Sequence, residues 1–313
     1  KIMSKSKKKE TIISLDHIPP IPGAALKLIR ILDDPDSSVD DIVGSIETSI
    51  CAKILNIANS AYYSRLRKVG SIEHAIGILG RNTIRDIVLG LSICSVFNVD
   101  SNDASYCEYN KFWHRNITST QLAMMFGKIL RNPYLSKIYT IGLTHDIGEI
   151  VLLLYFKEDY RKVQSLIEKE NLSQVDAEKS VVGLSHADIG KLLAEKWNFP
   201  EDITRIISFH EEPQRLKDDL DEFRVGMILH AADSLTNELF KAPEWEEIFE
   251  NGTKLKSLFS SMSKLANTLM NEFLKHSQQN SLPMDWEQSI NLELAIASES
   301  IKPIIETLLS KTK

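Results

Sequence analysis

Cysteine is scarce in this chain of 313 residues, which carries only Cys51, Cys94 and Cys107. They are odd in number, far apart and form no Cys-x-x-Cys pair, which excludes a disulfide framework, a thiolate zinc site and a dithiol redox motif. Reduced, mostly buried cytosolic thiols are the expectation. A basic excess is missing too: 37 Lys and Arg stand against 43 Asp and Glu, for a net charge of −6. With a pI near 5.8, a protein that works by gripping phosphate backbones is disfavoured. No apolar stretch follows the lysine-rich opening KIMSKSKKKE, so residues 1–11 read as a flexible basic tail and not as a signal peptide. The apolar run IVLLLYF falls short of the roughly 20 residues that span a bilayer and reads as a core helix. Cytoplasmic residence without a membrane partner is expected.

Alternating strand-like runs are nearly absent as well, while apolar residues recur at helical spacing almost throughout, so the fold is expected to be all-α. Leu26, Ile29, Ile31 and Leu32 form one apolar face after Pro22, whose missing N–H costs nothing at the start of a helix. Pro35 ends that helix. Ser37 or Ser38 can cap the next, with Asp40 and Asp41 beside its positive end. AKILNIANSAYY and SIEHAIGILG read as two short helices, the second ended by Gly80, and NTIRDIVLGLSICSVF as another capped by Asn82 or Thr83. In the first of these, small Ala58 and Ala61 with Tyr62 and Tyr63 read as a packed structural link. The polar stretch 98–110 separates a helical half at 12–97 from a second at 111–212. Residues 213–313 form a helical extension, with periodic segments near 221–240, 252–276 and 285–310, the first of which completes the second bundle.

The stretch LTHDIGEIVLLL sets His145 and Asp146 at the head of an apolar helix. Neighbours on a helix project about 100° apart, so both can reach an ion held beside it but cannot complete its shell. His186 in GLSHADIG, His210 in ISFHEE and Asp233 in LHAADSL occupy similar apolar-flanked contexts. Such sets from neighbouring helices build divalent-metal sites in bundles. Each residue alone reads equally as an ordinary polar side chain, Asp188 as a cap, and His17, His74, His114, His230 and His276 show how readily histidines accumulate.

An ordered series of segments over residues 12–212 resembles the HDOD domains, relatives of the HD and HD-GYP metal-dependent phosphohydrolases. It comprises IPPIPGAALKLIRILDDPDSSVDDIVGSIE, AKILNIANSAYYS, SIEHAIGILGRNTIRDIVLGLS, FWHRNI, GLTHDIGEIVLL, LSHADIGKLLAEKWNFPEDI and ISFHEEP. The resemblance implies a bacterial signalling output module, with an N-terminal helical layer packed on an HD-type bundle. It places the metal set on His145, Asp146, His186, His210 and Asp233, with Fe, Mn, Mg or Ni as the candidate ion. Three positions depart from the catalytic relatives. Arg115 stands where they have a metal-binding histidine, Glu149 where HD-GYP enzymes have lysine, and Glu211 where they have a second histidine. A guanidinium at 115 repels a cation and can pair with Asp146 instead.

These departures favour a non-catalytic regulatory module, with a degenerate metal site, that binds signalling proteins or a small nucleotide signal; homodimerisation is open to it. The alternative is a residual metal-dependent phosphohydrolase acting on nucleotides or cyclic dinucleotides through metal-bound water. A nucleic-acid regulator would need more than the small basic cluster in YYSRLRKVG.

Overall fold

The computed structural model describes residues 12, 16, 18–46, 48–59, 68–100 and 102–241. Among them lie helices α1 (Gly23–Asp33), α2 (Val39–Ser45), α3 (Thr48–Ala58), α4 (Ile72–Val96), α5 (Tyr106–Ile129) and α6 (Leu135–Thr144). These are followed by α7 (Ile147–Tyr155), α8 (Lys157–Glu170), α9 (Gln174–Val181), α10 (His186–Lys196), α11 (Glu201–Phe209), a 3-10 turn (Pro213–Leu216) and α12 (Leu220–Phe240). No strand occurs among the described residues, as the periodicity predicts. Tyr62, Tyr63, Arg65, Arg67, His17, His276 and the segments 252–276 and 285–310 lie outside them.

Local chemistry sets the helix boundaries. Ser38, of the two candidate serines, caps α2: its hydroxyl accepts from the Asp41 amide at 3.1 Å, and Asp41 accepts from the Ser38 amide at 2.9 Å. In α4, Gly80 adopts φ 79° and ψ 161° and interrupts the helical backbone, a conformation that only glycine takes freely. Thr83 is not a cap there; its hydroxyl donates to the Leu79 carbonyl at 2.8 Å. The buried face of α1 is Ala25, Leu28 and Leu32, continuing Ile21 in front of the helix, while Leu26, Ile29 and Ile31 lie half-buried along its edges. The stripe is thus rotated from the expected one, because Ile21 already points the entering chain into the core.

Helices α1, α2 and α3 pack on α4, which in turn packs on α6. Around α6 the second half assembles, with α5 against α12, α7 against α10 and α8 against α9. One apolar core runs through both halves. Phe97, ending α4, meets Trp197, ending α10, at 6.2 Å between ring centroids. Nearby, Lys196 donates to the Ile18 carbonyl at 3.0 Å. Of the thiols, Cys94 is buried, Cys51 half-buried and Cys107 exposed, so the last departs from the expected burial. The stretch Lys137–Tyr155 is long and apolar enough to cross a membrane by composition, yet 89% of it is buried inside the protein. It is also not one helix: the turn at His145 and Asp146 divides α6 from α7.

That turn is held against α10 by a glycine contact. A Cβ on Gly148 would overlap the His186 carbonyl and lie 2.8 Å from the Gly190 amide, so α7 and α10 touch backbone to backbone. Gly148→Ala is therefore expected to destabilise the fold by about 1–3 kcal/mol or more. It is also expected to weaken divalent-metal binding, because it pries His186 from Asp146. Urea melts and metal titration check both; an unchanged melt would show that the helices separate at no cost.

Candidate metal centre

The sequence-derived residues His145, Asp146, His186, His210 and Asp233 meet in one buried cluster, and helix ends put most of them there. His145 closes α6, Asp146 precedes α7, His186 opens α10 and His210 closes α11, while Asp233 projects from the middle of α12. His145 and Asp146 are thus brought together by a break between helices, not by neighbouring positions on one helix. Asp146 makes no capping bond, which leaves both carboxylate oxygens for the cluster.

Each histidine is oriented by its Nδ1. Terminal turns leave carbonyls without an intrahelical donor. His145 Nδ1 lies 2.6 Å from the Gly142 carbonyl and His210 Nδ1 lies 2.7 Å from that of Ile207. His186 uses a carboxylate instead: Glu178 Oε2 lies 2.8 Å from its Nδ1 and 2.7 Å from its main-chain amide. With Nδ1 donating in each case, Nε2 faces the cluster as the ligating nitrogen, the tautomer that metal-binding histidines adopt through such outer bonds.

The Nε2 atoms of His186 and His210 lie 3.1 Å apart, and Asp146 Oδ1 lies 3.5 and 3.3 Å from them. Two lone pairs cannot face each other so closely without a cation between them, either a proton or a metal. Donors about 2.1 Å from a tetrahedral ion are separated by roughly 3.4 Å, so this triad fits a divalent ion. Glu211 Oε1 stands 3.4 Å from His186 Nε2 and offers a further ligand. A second triad shares Asp146: His145 Nε2 lies 3.4 Å from Asp146 Oδ2 and 3.3 Å from Asp233 Oδ1.

Arg115 occupies the flank of this second triad. Its Nη2 donates to Asp146 Oδ2 at 3.0 Å and also to Glu149 Oε2. Glu149 Oε1 accepts from the Tyr160 hydroxyl at 2.9 Å. The pairing of Arg115 with Asp146 was legible at position 115; the role of Glu149 as the second acceptor was not. Sequence reasoning also missed Glu178, whose helix α9 has too little periodicity to stand out, and Tyr160. The signal that finds Glu149 is charge reversal, an acid gained where relatives carry lysine and an arginine gained where they carry histidine.

Burial opposes the charges on Arg115, His145, Asp146, His186 and Glu211, and neighbouring opposite charges override it. The Arg115 guanidinium is held protonated by Glu149, Asp146 and Asp233 against the cost of burial. Burial likewise opposes charging of His145, but Asp146 and Asp233 push it up to about 10. Glu178, Glu211 and Asp146 raise His186 in the same way. Burial also raises Asp146, yet His145, His210 and Arg115 hold its carboxyl well below the usual range. Glu211, although burial raises it, is pulled down to about 2 by His186 and His210.

The HDOD domain profile matches residues 18–213. The chain belongs to the HDOD domain family. An uncharacterized protein of Treponema pallidum (strain Nichols) is 25% identical over 199 residues, which are 63% of this chain and 38% of that protein. The HDOD chain thus spans well under half the length of that relative. Among solved structures, an HDOD domain protein with unknown function from Geobacter sulfurreducens superposes with a TM-score of 0.70, at 21% identity, covering 97% of each chain. A protein provisionally assigned as a phosphohydrolase, from Shewanella amazonensis SB2B, gives 0.69 at 18% identity, covering 95% of this chain and 98% of the other. A provisionally assigned signal transduction protein from Marinobacter aquaeolei VT8 gives 0.57 at 19%, covering 94% and 66%. At such identities the likeness is one of fold.

Two outcomes follow for this HDOD cluster. Removing Arg115 leaves buried carboxylates uncompensated, so Arg115→Ala is expected to cost about 3–5 kcal/mol in chelator. Arg115→His should instead raise manganese bound per chain from one ion toward two, as measured by equilibrium dialysis. Equal stoichiometry in both would mean that Arg115 does not hold the second position. The pH dependence has a definite sign. His145 is raised from about 6.5 in the unfolded chain, so its contribution is full below that pH and is lost as pH rises toward its folded value. Metal-free protein should therefore lose stability on the alkaline side. Manganese affinity should rise over the same range, with proton release detected by calorimetry in buffers of different ionisation enthalpy.

Proposed function

We propose that this chain is a regulatory module of bacterial signal transduction that acts by binding and not by turnover. The observation that carries the reading is Arg115 seated on Asp146 and Glu149. In a two-ion phosphohydrolase centre a second ion and its activated water need Asp146 Oδ2; here a fixed guanidinium claims that oxygen. In this reading Asp146 Oδ1, His186 and His210, with Glu211 beside them, bind one divalent ion, and its part is structural or regulatory. Family membership and the signal-transduction designation of a protein with this fold support a signalling role.

The alternative, a residual phosphohydrolase, draws on a specific observation too. All three Nε2 atoms face the cluster, and five donors at ligand-like separations would suffice for metal-bound hydroxide if Arg115 swung away. The phosphohydrolase designation of another protein of this fold favours it in the same measure.

Turnover separates the two readings. With manganese or iron supplied, the purified chain should not hydrolyse cyclic dinucleotides, guanosine polyphosphates or simple phosphate esters at a rate that depends on Asp146. Activity abolished in Asp146→Ala but kept in a remote surface variant would replace the regulatory reading with the hydrolytic one.

A further inference from the structure

A cavity of about 480 Å³ opens between α5, α7, α8 and α9. That lies within the roughly 300–1,000 Å³ of small-molecule sites. Arg115 and Glu149 line it, while none of the five cluster residues does, so this ion pair stands between the cavity and the His–Asp cluster. Two more lining residues reach into the cluster's supports. Tyr160 donates to Glu149, and Gln174 Nε2 donates to Glu178 Oε1 at 3.1 Å, on the carboxylate that orients His186. The cavity is therefore bordered by Arg115, the partner of Asp146, and by Gln174, one hydrogen bond away from the carboxylate that orients His186.

The donors in its wall are underused. Arg115 spends Nη2 on both carboxylates, while its Nε is buried and donates to nothing. Lys111, exposed at the cavity, has no ion-pair partner among the described residues. Arg161 reaches Glu158, a neighbour on its own helix, in a pair left mostly to solvent. A guanidinium with an unused Nε donor, and an ammonium without an ion-pair partner among the described residues, suit a carboxylate or phosphate, which arginine binds through paired N–H bonds once it turns toward the anion. Glu108 and Glu168 also line the cavity and suit a donor group at the ligand's other end.

We propose that this cavity is an effector site for a small ligand with an oxyanion end, whose binding competes with Glu149 and Asp146 for Arg115 and so opens Asp146 Oδ2 to a metal ion. The proposal deepens the reading of the chain as a binding module by naming the class of signal. Effector and metal would then strengthen each other's binding, since coupling of this kind is reciprocal.

The test uses the full chain at constant ionic strength, first in chelator, with thermal melting in inorganic phosphate and separately in glutamate. One of the two should raise the melting temperature saturably; which one does so assigns the oxyanion as phosphate or carboxylate. Lys111→Glu should abolish the shift, and Lys217→Glu, remote from the cavity, should keep it. Glu149→Gln should tighten binding several-fold, because it removes a competitor for Arg115, an effect opposite to general damage. The active ligand should then raise manganese affinity several-fold in the parent but not in Lys111→Glu. No stabilisation by either ligand, an unaltered shift in Lys111→Glu, weaker binding in Glu149→Gln or an unmoved manganese affinity would overturn the proposal. The chelator arm contains neither metal nor substrate, so its failure is distinguishable from detection of hydrolysis, which would overturn the regulatory reading itself.

Discussion

Everything in the centre of this molecule is arranged around one buried carboxylate, that of Asp146. Its Oδ1 faces His186 and His210, and its Oδ2 faces His145 and Arg115. A single anion thus serves two donor sets and one guanidinium. An ionised carboxylate at 4% residue exposure is tenable only if cations surround it. Four helices converge on it: α5 brings the Arg115 guanidinium, while the α6 end, the α10 start and the α11 end bring His145, His186 and His210. Removing any one of these elements would strand the charge, which makes the cluster a keystone of the bundle as well as a candidate binding centre.

The two flanks of Asp146 are not equivalent. On the Oδ1 side, the His186 and His210 Nε2 atoms lie 3.1 Å apart, a separation that a proton or a metal ion between them makes tenable. On the Oδ2 side, a fixed positive group already does so. A proton, a metal and an arginine can all balance the same carboxylate, but they differ in what releases them. Protons leave with rising pH, a metal leaves to a chelator, and Arg115 leaves only if another anion attracts it. This difference underlies the proposed reading of the centre as a binding site, because a metal ion can generate hydroxide from water and a guanidinium cannot.

The surrounding scaffold is suited to transmitting such a change. Glu178 holds His186 with one oxygen and the cavity residue Gln174 with the other, and Glu149 joins Tyr160 to Arg115, which in turn holds Asp146. The backbone contact at Gly148 seats the start of α7 directly on α10, next to both Asp146 and His186. Through α6 and α4, the same core extends to the N-terminal helices.

Helical content and the two candidate caps of α2 were written in local sequence, because caps and apolar spacing act over a few residues, while the five cluster residues were picked out as a set by the resemblance to HD-type domains. Arg115 was legible through the same resemblance, since it stands in the FWHRNI segment where the catalytic relatives carry a histidine. Glu149, Glu178 and Tyr160 were not legible as participants, because each gains its meaning from a partner many positions away. The rotation of the α1 stripe also escaped the sequence, as several apolar residues there suit either face. What the sequence determined by itself was which residues carry charge and metal-binding chemistry, and that the segments around them are helical. Only the tertiary structure decided that the His145–Asp146 pair falls at a break between helices, that Arg115 bridges Asp146 to Glu149, and that a cavity lies behind that bridge. Those features depend on packing distances between distant segments, and burial turns such distances into large energies that no local pattern records.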